Sequence, residues 1–266
     1  MKKLSSYLLG AMLLFGAGAT VCQAAEQTLA RIAREQTLRV CIWPDYFGIS
    51  YRDPKTRQLS GIDIDMAEAL AKDLGVKVNF VDSSFAKLID DVSSQRCDIA
   101  MFAIGITPQR QEKLRFTQPH LASDIYAITT QSNRRIKSWQ DIDQPGSVVA
   151  VARGTLHEPV MKEKLRAATL RVLETPHARE QEVESGRADV FMTDYPFSQR
   201  MLRTTDWARL ITPESRYHLT PYAYAMRPDD EAWHQRVERF VAQAKKNGLL
   251  RNAAVRHNLL PIAVLE

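Results

Sequence analysis

The sequence predicts an α/β protein of two lobes, joined by two strands and separated by a cleft. Three observations support this fold class. Short apolar runs rich in β-forming residues alternate with amphipathic helical patterns along most of the chain. Twice in the chain a helical pattern is followed by a basic residue, an aspartate and a buried strand, at Arg96-Cys-Asp98 and at Arg187-Ala-Asp189. A late strand at Thr220–Met226 would return the chain to the first lobe.

The composition is that of an ordinary globular protein. The chain has 266 residues and a formal net charge of +5, long enough for one large or two small domains. Basic residues are interspersed with acidic ones, as in 158–166, which argues against a nucleic-acid interface. No phosphate-binding loop, hydrolase or zinc motif occurs, so we expect no cofactor and no metal. His157, Glu158 and His177 are isolated and are expected to be surface or helix-start polar groups.

The N-terminus has the pattern of a secretory signal peptide. Lys2 and Lys3 precede an apolar run over 7–21, and small residues follow up to Ala24. We therefore predict a leader at 1–24 and a secreted protein. Two cysteines remain beyond it, Cys41 and Cys97, which either pair or stay as buried thiols; no redox role is assigned to them.

The first lobe begins with a predicted strand at 37–43, followed by a loop at 44–48 at its carboxyl end. Ligands bind at this edge in open α/β sheets. A helix is predicted at 61–74, and Gly75 suits its C-cap. A strand over 76–81 follows. Ser84 is then expected to cap a helix whose inward face carries Phe85, Leu88, Ile89 and Val92.

The segment that follows organises the first lobe. Its mostly apolar residues 97–106 predict a buried parallel strand, which Gly105 ends. Thr107 and Pro108 suit the N-cap and the first position of a new helix. A helix N-terminus prefers an anion, so a cation at Arg110 predicts a shared anionic guest, a carboxylate bound by the guanidinium fork. The alternative is an arginine that is solvated or paired with Glu112.

The second lobe repeats this pattern of strands and helices. A strand at 124–130 crosses into it, and a strand at 147–152 leads to Gly154-Thr155, which opens a helix. Another helix is predicted to begin at Thr175-Pro176 and to end at Gly186, before a strand at 188–194. In this interpretation 25–127 and 221–266 form the first lobe and 128–220 the second. We expect them to close by a hinge near 127–128 and 223–224.

The segment Gly61-Ile-Asp-Ile-Asp-Met, with Leu70-Ala71 and Leu74 after it, fits a known family signature at every defined position. The chain resembles the periplasmic solute-binding proteins of the amino-acid class, family 3. That resemblance implies a type II periplasmic-binding-protein fold, a periplasmic location and a monomer. It also implies capture of a small amino acid or related carboxylate for an ABC permease, or for a receptor's sensor domain.

The resemblance also assigns site residues. Arg110 and the amides of Gly154-Thr155 would hold the ligand carboxylate, Asp194 its ammonium, and Tyr46 and Phe85 its apolar part. Phe85 has a second interpretation as a core residue of its helix. The predicted ligand-binding set is Trp43, Asp45, Tyr46, Phe85, Phe102, Ala103, Gly105, Arg110, Thr155, Leu156 and Asp194.

Two features of this set depart from the family pattern. Phe102 and Ala103 stand where serines are frequent, and Trp43 stands where binders of basic amino acids often have an acid. The pocket is therefore predicted to be rich in aromatic side chains, which favours an apolar or aromatic ligand, or a cation stacked on rings.

A second resemblance, to periplasmic cyclohexadienyl dehydratases, covers Asp45-Tyr46 and the stretches 142–146, 192–194 and 248–251. Those enzymes remove water and carbon dioxide from prephenate or arogenate, and they need a general acid to protonate the leaving hydroxyl. Their acid is a glutamate three residues after the aspartate of Thr-Asp, a position that Phe197 occupies here. Phenylalanine cannot donate a proton, so the sequence predicts a binding protein, with a carbon–oxygen lyase as the alternative.

Overall fold

The computed structural model describes residues 27–175 and 177–266. The predicted leader at 1–24 and Pro176 of the Thr175-Pro176 pair lie outside the described residues. The described chain forms two main β-sheets flanked by helices, and the mixed α/β fold class predicted from the sequence is confirmed. None of the described helices has the length and apolar character needed to cross a membrane.

From residue 27 to residue 123 the described chain contains seven strands and four helices. In chain order these are α1 Thr28–Glu35, β1 Thr37–Ile42, β2 Tyr51–Arg52, β3 Leu59–Ser60, α2 Ile62–Leu74, β4 Lys77–Asp82, α3 Leu88–Ser93, β5 Ile99–Gly105, α4 Pro108–Gln111, β6 Arg115–Phe116 and β7 Leu121–Ser123. All seven residues of β5 are buried, as expected for a strand inside a sheet covered on both faces.

The remaining elements build the second sheet and then complete the first. They are β8 Tyr126–Thr130, β9 Val148–Ala152, α5 His157–Lys164, β10 Thr169–Leu173, α6 Ala178–Glu184, β11 Val190–Thr193, α7 Tyr195–Thr204, β12 Ala208–Ile211, β13 Thr220–Met226, α8 Glu231–Lys246 and α9 Leu249–Arg256. Short 3₁₀ turns lie at Trp139–Asp141 and Leu260–Ile262.

Each sheet combines parallel strands with antiparallel ones. The first has the order β4-β1-β5-β13-β6, with β7 also paired to β13, and the second has the order β10-β9-β11-β8-β12. In the first sheet β1 is parallel to β4 and β5, whereas β13 runs antiparallel to β5. The late strand β13 therefore returns to the first sheet, as the sequence indicated.

The chain passes between the two sheets twice, at 124–125 and at 212–219. The Asp124 carboxylate ties these crossovers together, because it accepts hydrogen bonds from the Tyr217 amide at 2.9 Å and the His218 amide at 2.7 Å. The predicted hinge residues at 127–128 and 223–224 lie instead within β8 and β13. The residues that connect the sheets are therefore a few positions away from the predicted hinge.

A buried network holds the end of β5. Asp63, in the first turn of α2, accepts the Ala103 amide at 2.7 Å and lies 2.9 Å from His120 Nε2. The Tyr224 hydroxyl donates to the same carboxylate at 3.2 Å. Ala103 has a φ of +49°, a left-handed conformation that costs energy for a residue with a side chain. The hydrogen bond that Asp63 accepts from the Ala103 amide stabilises this conformation near the end of the strand, next to the cleft.

Cys41 and Cys97 form a disulfide, which is one of the two possibilities that the sequence left open. The bond joins β1 to the residue pair before β5, and both cysteines are buried. It closes a chain segment with a sequence separation of 56 residues. A covalent link across so long a segment restricts the unfolded chain and thereby stabilises the fold.

Replacing both cysteines by alanine, Cys41→Ala with Cys97→Ala, should lower the free energy of unfolding by about 2–5 kcal/mol. Urea denaturation of the two proteins in oxidising buffer measures the change. With a reductant present throughout the titration, most of the difference should disappear, because the wild type then also unfolds to an unlinked chain. Equal midpoints in oxidising buffer would contradict a stabilising disulfide.

Candidate ligand-binding site

The site lies where strand ends of both sheets face one cleft. Tyr46 follows β1 and Ala103 lies near the end of β5, whereas Thr155 follows β9 and Asp194 follows β11. These four residues line the same inner cavity. The carboxyl ends of parallel strands are the usual ligand-binding edge of an open α/β sheet, so the position agrees with the fold.

Arg110 is a buried cation without an acidic partner. Thr107 caps α4 and accepts the Arg110 amide at 3.3 Å, as predicted, while the guanidinium turns toward the cleft. Its Nη1 donates to the Gly105 carbonyl at 2.8 Å and its Nη2 to the Gly154 carbonyl at 3.0 Å. Only 7% of the residue is exposed, and burial lowers its pKa to about 10. No described carboxylate pairs with it, so the alternative of a partner in Glu112 is not realised.

Asp194 faces the cleft from the second sheet. Its side chain caps α7 by accepting the Phe197 amide at 3.2 Å, and it also accepts the hydroxyls of Tyr46 and Tyr222. Burial raises the pKa of Asp194, and burial also raises the pKa of each tyrosine well above its ordinary value. Both phenols belong to the first sheet's side of the cleft, so this carboxylate links the two sides.

The backbones of the two lobes also come close together across the cleft, at Gly154 and Ala86. Gly154 has a φ of +75°, and a Cβ atom there would lie 2.7 Å from the backbone N and Cα of Ala86. A side chain at this position would therefore collide with the first lobe in the closed arrangement. The Gly154 amide donates to the Glu158 carboxylate at 2.9 Å, which holds the turn before α5.

Three aromatic rings form one wall of the cleft. The ring centroids of Trp43 and Tyr46 are 5.2 Å apart, and those of Trp43 and Phe85 are 5.3 Å apart. Phe85 lies in the turn before α3, so its position is not explained by the inward face of that helix. The Arg110 guanidinium lies 5.4 Å from the Phe85 ring centroid, a cation–π contact. Phe102 packs behind Phe85 at 5.0 Å, fully buried, and lines neither cavity of the cleft.

The cleft contains two adjoining cavities. The inner cavity, around Asp194 and Tyr222, has a volume of about 20 Å³, and the outer cavity, around Glu174 and Glu180, one of about 220 Å³. They share the lining residues Trp43, Phe85, Thr155, Arg179 and Phe197.

The structure brings most of the predicted set to these cavities, but Phe102, Gly105 and Arg110 line neither of them. The inner cavity is lined by Trp43, Tyr46, Phe85, Ala103, Thr155, Leu156 and Asp194. Asp45 lines the outer cavity, where Arg200 Nη1 donates to its Oδ1 at 3.2 Å. Gly105 lies behind the cavity wall, where its carbonyl positions Arg110.

Five residues that line the inner cavity were not in the predicted set: His157, Arg179, Thr193, Phe197 and Tyr222. Tyr222 lies on β13 opposite Gly105 of β5. The predicted return of this strand to the first sheet was therefore the sequence signal that could have placed Tyr222 at the site. His157 is the first residue of α5, as expected of a helix-start group, but it is buried. Burial, with the nearby Arg179 guanidinium, lowers its pKa to about 3, so the ring is neutral.

The described residues contain no group of three or more histidine, cysteine, aspartate or glutamate side chains placed to hold a metal ion. His177 is half exposed, and its Nε2 lies 3.2 Å from Asp45 across the cleft. The arrangement is therefore suited to a small organic ion: Arg110 for an anionic group, Asp194 for a cationic one, and aromatic rings between them.

Comparison with known proteins places this architecture in a family. The chain is 33% identical over 230 residues to the cyclohexadienyl dehydratase of Pseudomonas aeruginosa, covering 86% of this chain and 85% of that protein. It is 25% identical over 236 residues to the L-cystine-binding protein TcyJ of Escherichia coli, covering 88% and 87% of the two chains.

The crystal structure of the ancestral amino acid-binding protein AncCDT-1, a precursor of cyclohexadienyl dehydratase, superposes with a TM-score of 0.79. The two proteins are 34% identical, with 86% of this chain and 98% of that chain covered. The model of one family matches residues 38–257, which include both sheets and the whole cleft. The chain belongs to the bacterial extracellular solute-binding proteins, family 3.

Proposed function

We propose that this protein binds an amino acid, or a related small carboxylate, and delivers it to a membrane partner without chemical change. The observation that carries the proposal is that one cleft has a buried guanidinium, that of Arg110, on one side and a buried carboxylate, that of Asp194, on the other. An α-amino acid presents a carboxylate and an ammonium group close together. A buried guanidinium without an acidic partner suits the first, and a buried carboxylate suits the second.

A location outside the cytoplasm fits this function. The signal-peptide pattern at 1–24 predicts export, and the disulfide between Cys41 and Cys97 is typical of oxidising compartments such as the periplasm. The family consists of extracellular solute-binding proteins. We therefore propose a periplasmic monomer whose partner is the permease of an ABC importer, with the sensor domain of a membrane receptor as the alternative partner.

Dehydration of prephenate or arogenate is the second candidate function, and the 33% identity to a cyclohexadienyl dehydratase favours it. The site argues against it. Phe197, at the position of the dehydratase acid, is buried, lines both cavities and gives only its amide to Asp194. His157 is neutral because its pKa is about 3, so it holds no proton that it could release as an imidazolium near neutral pH.

Replacing Arg110 tests the carboxylate site. Arg110→Ala should raise Kd at least about 100-fold, because removing one partner of a buried charged pair costs about 2–5 kcal/mol. Arg110→Lys should also weaken binding, by about tenfold, since a point charge cannot replace the planar fork. Calorimetry with the best amino-acid ligand of the wild type gives both values.

The matched control is Arg115→Ala. Arg115 is an arginine on the same lobe, paired with Glu231 at the surface at 2.8 Å and outside the cleft. Its replacement should leave Kd unchanged. If a folded Arg110→Ala variant kept the wild-type affinity, Arg110 would not be the residue that binds the ligand carboxylate.

Replacing Asp194 by asparagine tests the ammonium site. Asparagine still caps a helix, so Asp194→Asn should remain folded, but the charge that balances a desolvated ammonium is lost. We expect Kd to rise at least about tenfold, the effect of losing 1.4 kcal/mol. Asp230→Asn is the control, because Asp230 caps α8 in the same way, by accepting the Trp233 amide at 3.1 Å, outside the cleft. Equal affinities for Asp194→Asn and the control would refute this role.

A direct assay decides between binder and enzyme. Amino acids, prephenate and arogenate are first compared by thermal shift, since any ligand of the native state raises Tm. The protein is then incubated with prephenate or arogenate, and phenylpyruvate or phenylalanine is measured. We expect a shift with an amino acid and no product above the spontaneous rate. Product well above that rate in wild type would overturn the binder proposal.

A further inference from the structure

The outer cavity extends the ligand site beyond Arg110 and Asp194. Its volume is about 220 Å³, and it opens from the inner cavity along a wall that includes Trp43, Phe85 and Phe197. A ligand held at Arg110 and Asp194 through its carboxylate and α-amino groups would therefore extend its side chain into this space. The charged residues of the outer cavity then determine which side chains are accepted.

Acidic residues exceed arginines on the walls of the outer cavity. Asp45, Glu174 and Glu180 carry negative charge, whereas Arg153 and Arg179 carry positive charge. Among the acids and arginines that line this cavity, three carboxylates against two guanidinium groups leave an excess of one negative charge. A second carboxylate on the ligand would be repelled, and a cation would be attracted.

Two of the three acids already accept hydrogen bonds from arginine side chains. Asp45 lies 3.2 Å from both Arg200 Nη1 and His177 Nε2. Glu174 accepts the Nε of Arg153, and its side chain is largely exposed to solvent. Neither carboxylate needs a ligand to complete its hydrogen bonds.

Glu180 differs, because one of its carboxylate oxygens is buried without a donor. The residue is 8% exposed, and its Oε2 is sealed from solvent and accepts no hydrogen bond. Arg179 Nε lies 3.6 Å from this oxygen, too far for a hydrogen bond. The Arg179 guanidinium instead donates Nη1 to the Met192 carbonyl at 3.1 Å and stacks 4.2 Å from the Phe197 ring centroid. A buried carboxylate oxygen without a donor is destabilising, and a group that supplies one is bound preferentially.

We propose that Glu180 determines ligand specificity by accepting a hydrogen bond from a cationic side chain, an ammonium or a guanidinium, in the outer cavity. The inference rests on the proposed function, because it takes an amino acid at Arg110 and Asp194 as given. A cation supplies the hydrogen-bond donor that the buried oxygen lacks, and it adds to the positive charge that Arg179 already places 3.6 Å away. The rings of Trp43, Phe85 and Phe197 along the path contact methylene groups and favour a cation at their faces.

The test compares ligands that differ only at the end of the side chain. Wild type and Glu180→Gln are dialysed extensively and titrated by calorimetry with L-lysine, L-arginine, L-norleucine and L-glutamate. Wild type should bind lysine or arginine at least about tenfold more tightly than norleucine, the value of one charged hydrogen bond. Glu180→Gln should lose that preference while its affinity for norleucine stays unchanged.

Glu174→Gln is the matched control. It makes the same change of charge in the same cavity, but at a carboxylate that is paired with Arg153, so the preference for a cation should persist. Wild type that binds norleucine as tightly as lysine and arginine would overturn this inference, and that result does not depend on any variant. Loss of preference in Glu174→Gln, or its retention in Glu180→Gln, would do the same. In those cases the proposed function stands, whereas failure of every amino acid and related small carboxylate to bind would remove both.

Discussion

The buried carboxylate of Asp194 is the contact on which the closed cleft depends. Asp194 follows β11 of the second sheet and caps α7. Its carboxylate accepts hydrogen bonds from the hydroxyl groups of Tyr46 and Tyr222 on the other side of the cleft. Hydrogen bonds to an ionised acceptor are strong when water is excluded, so two such bonds hold the lobes together effectively. A ligand ammonium at this position must share the carboxylate with the two phenols or displace one of them.

Arg110 makes a contact across the cleft in the other direction, from the first lobe to the second. It extends from the first lobe and donates to the Gly154 carbonyl of the second, so a cation and an anion each reach across the cleft in opposite directions. Both contacts are made between groups of the protein itself, and both stabilise the closed arrangement. Ligand affinity is then the difference between the contacts a ligand makes and those it replaces, and closure is a shift in population between existing states.

Short-range sequence signals were enough to predict much of what the first lobe contributes to the site around Arg110. The cap at Thr107, the proline after it and the break at Gly105 are short-range signals, and together they placed Arg110 at the cleft. Gly75 ends α2 for a similarly local reason, a left-handed backbone with a φ of +72°.

The features that the sequence did not reveal depend on packing between distant segments. β10 and β12 are the edges of the second sheet and are only partly buried, and Arg171 and Arg209 interrupt their apolar pattern. Arg179 is buried because two phenylalanine rings from other elements cover it, and nothing in its own segment indicates this. Glu180 lines the outer cavity, and its own segment does not indicate that position either.

The link through Asp124 has a mechanical consequence. Because one carboxylate fastens the 124–125 crossover to the backbone of Tyr217 and His218, the two connections pivot together and resist twisting against each other. A displacement of one crossover is therefore transmitted to the other through a single side chain, and the two connections between the sheets act as one mechanical unit.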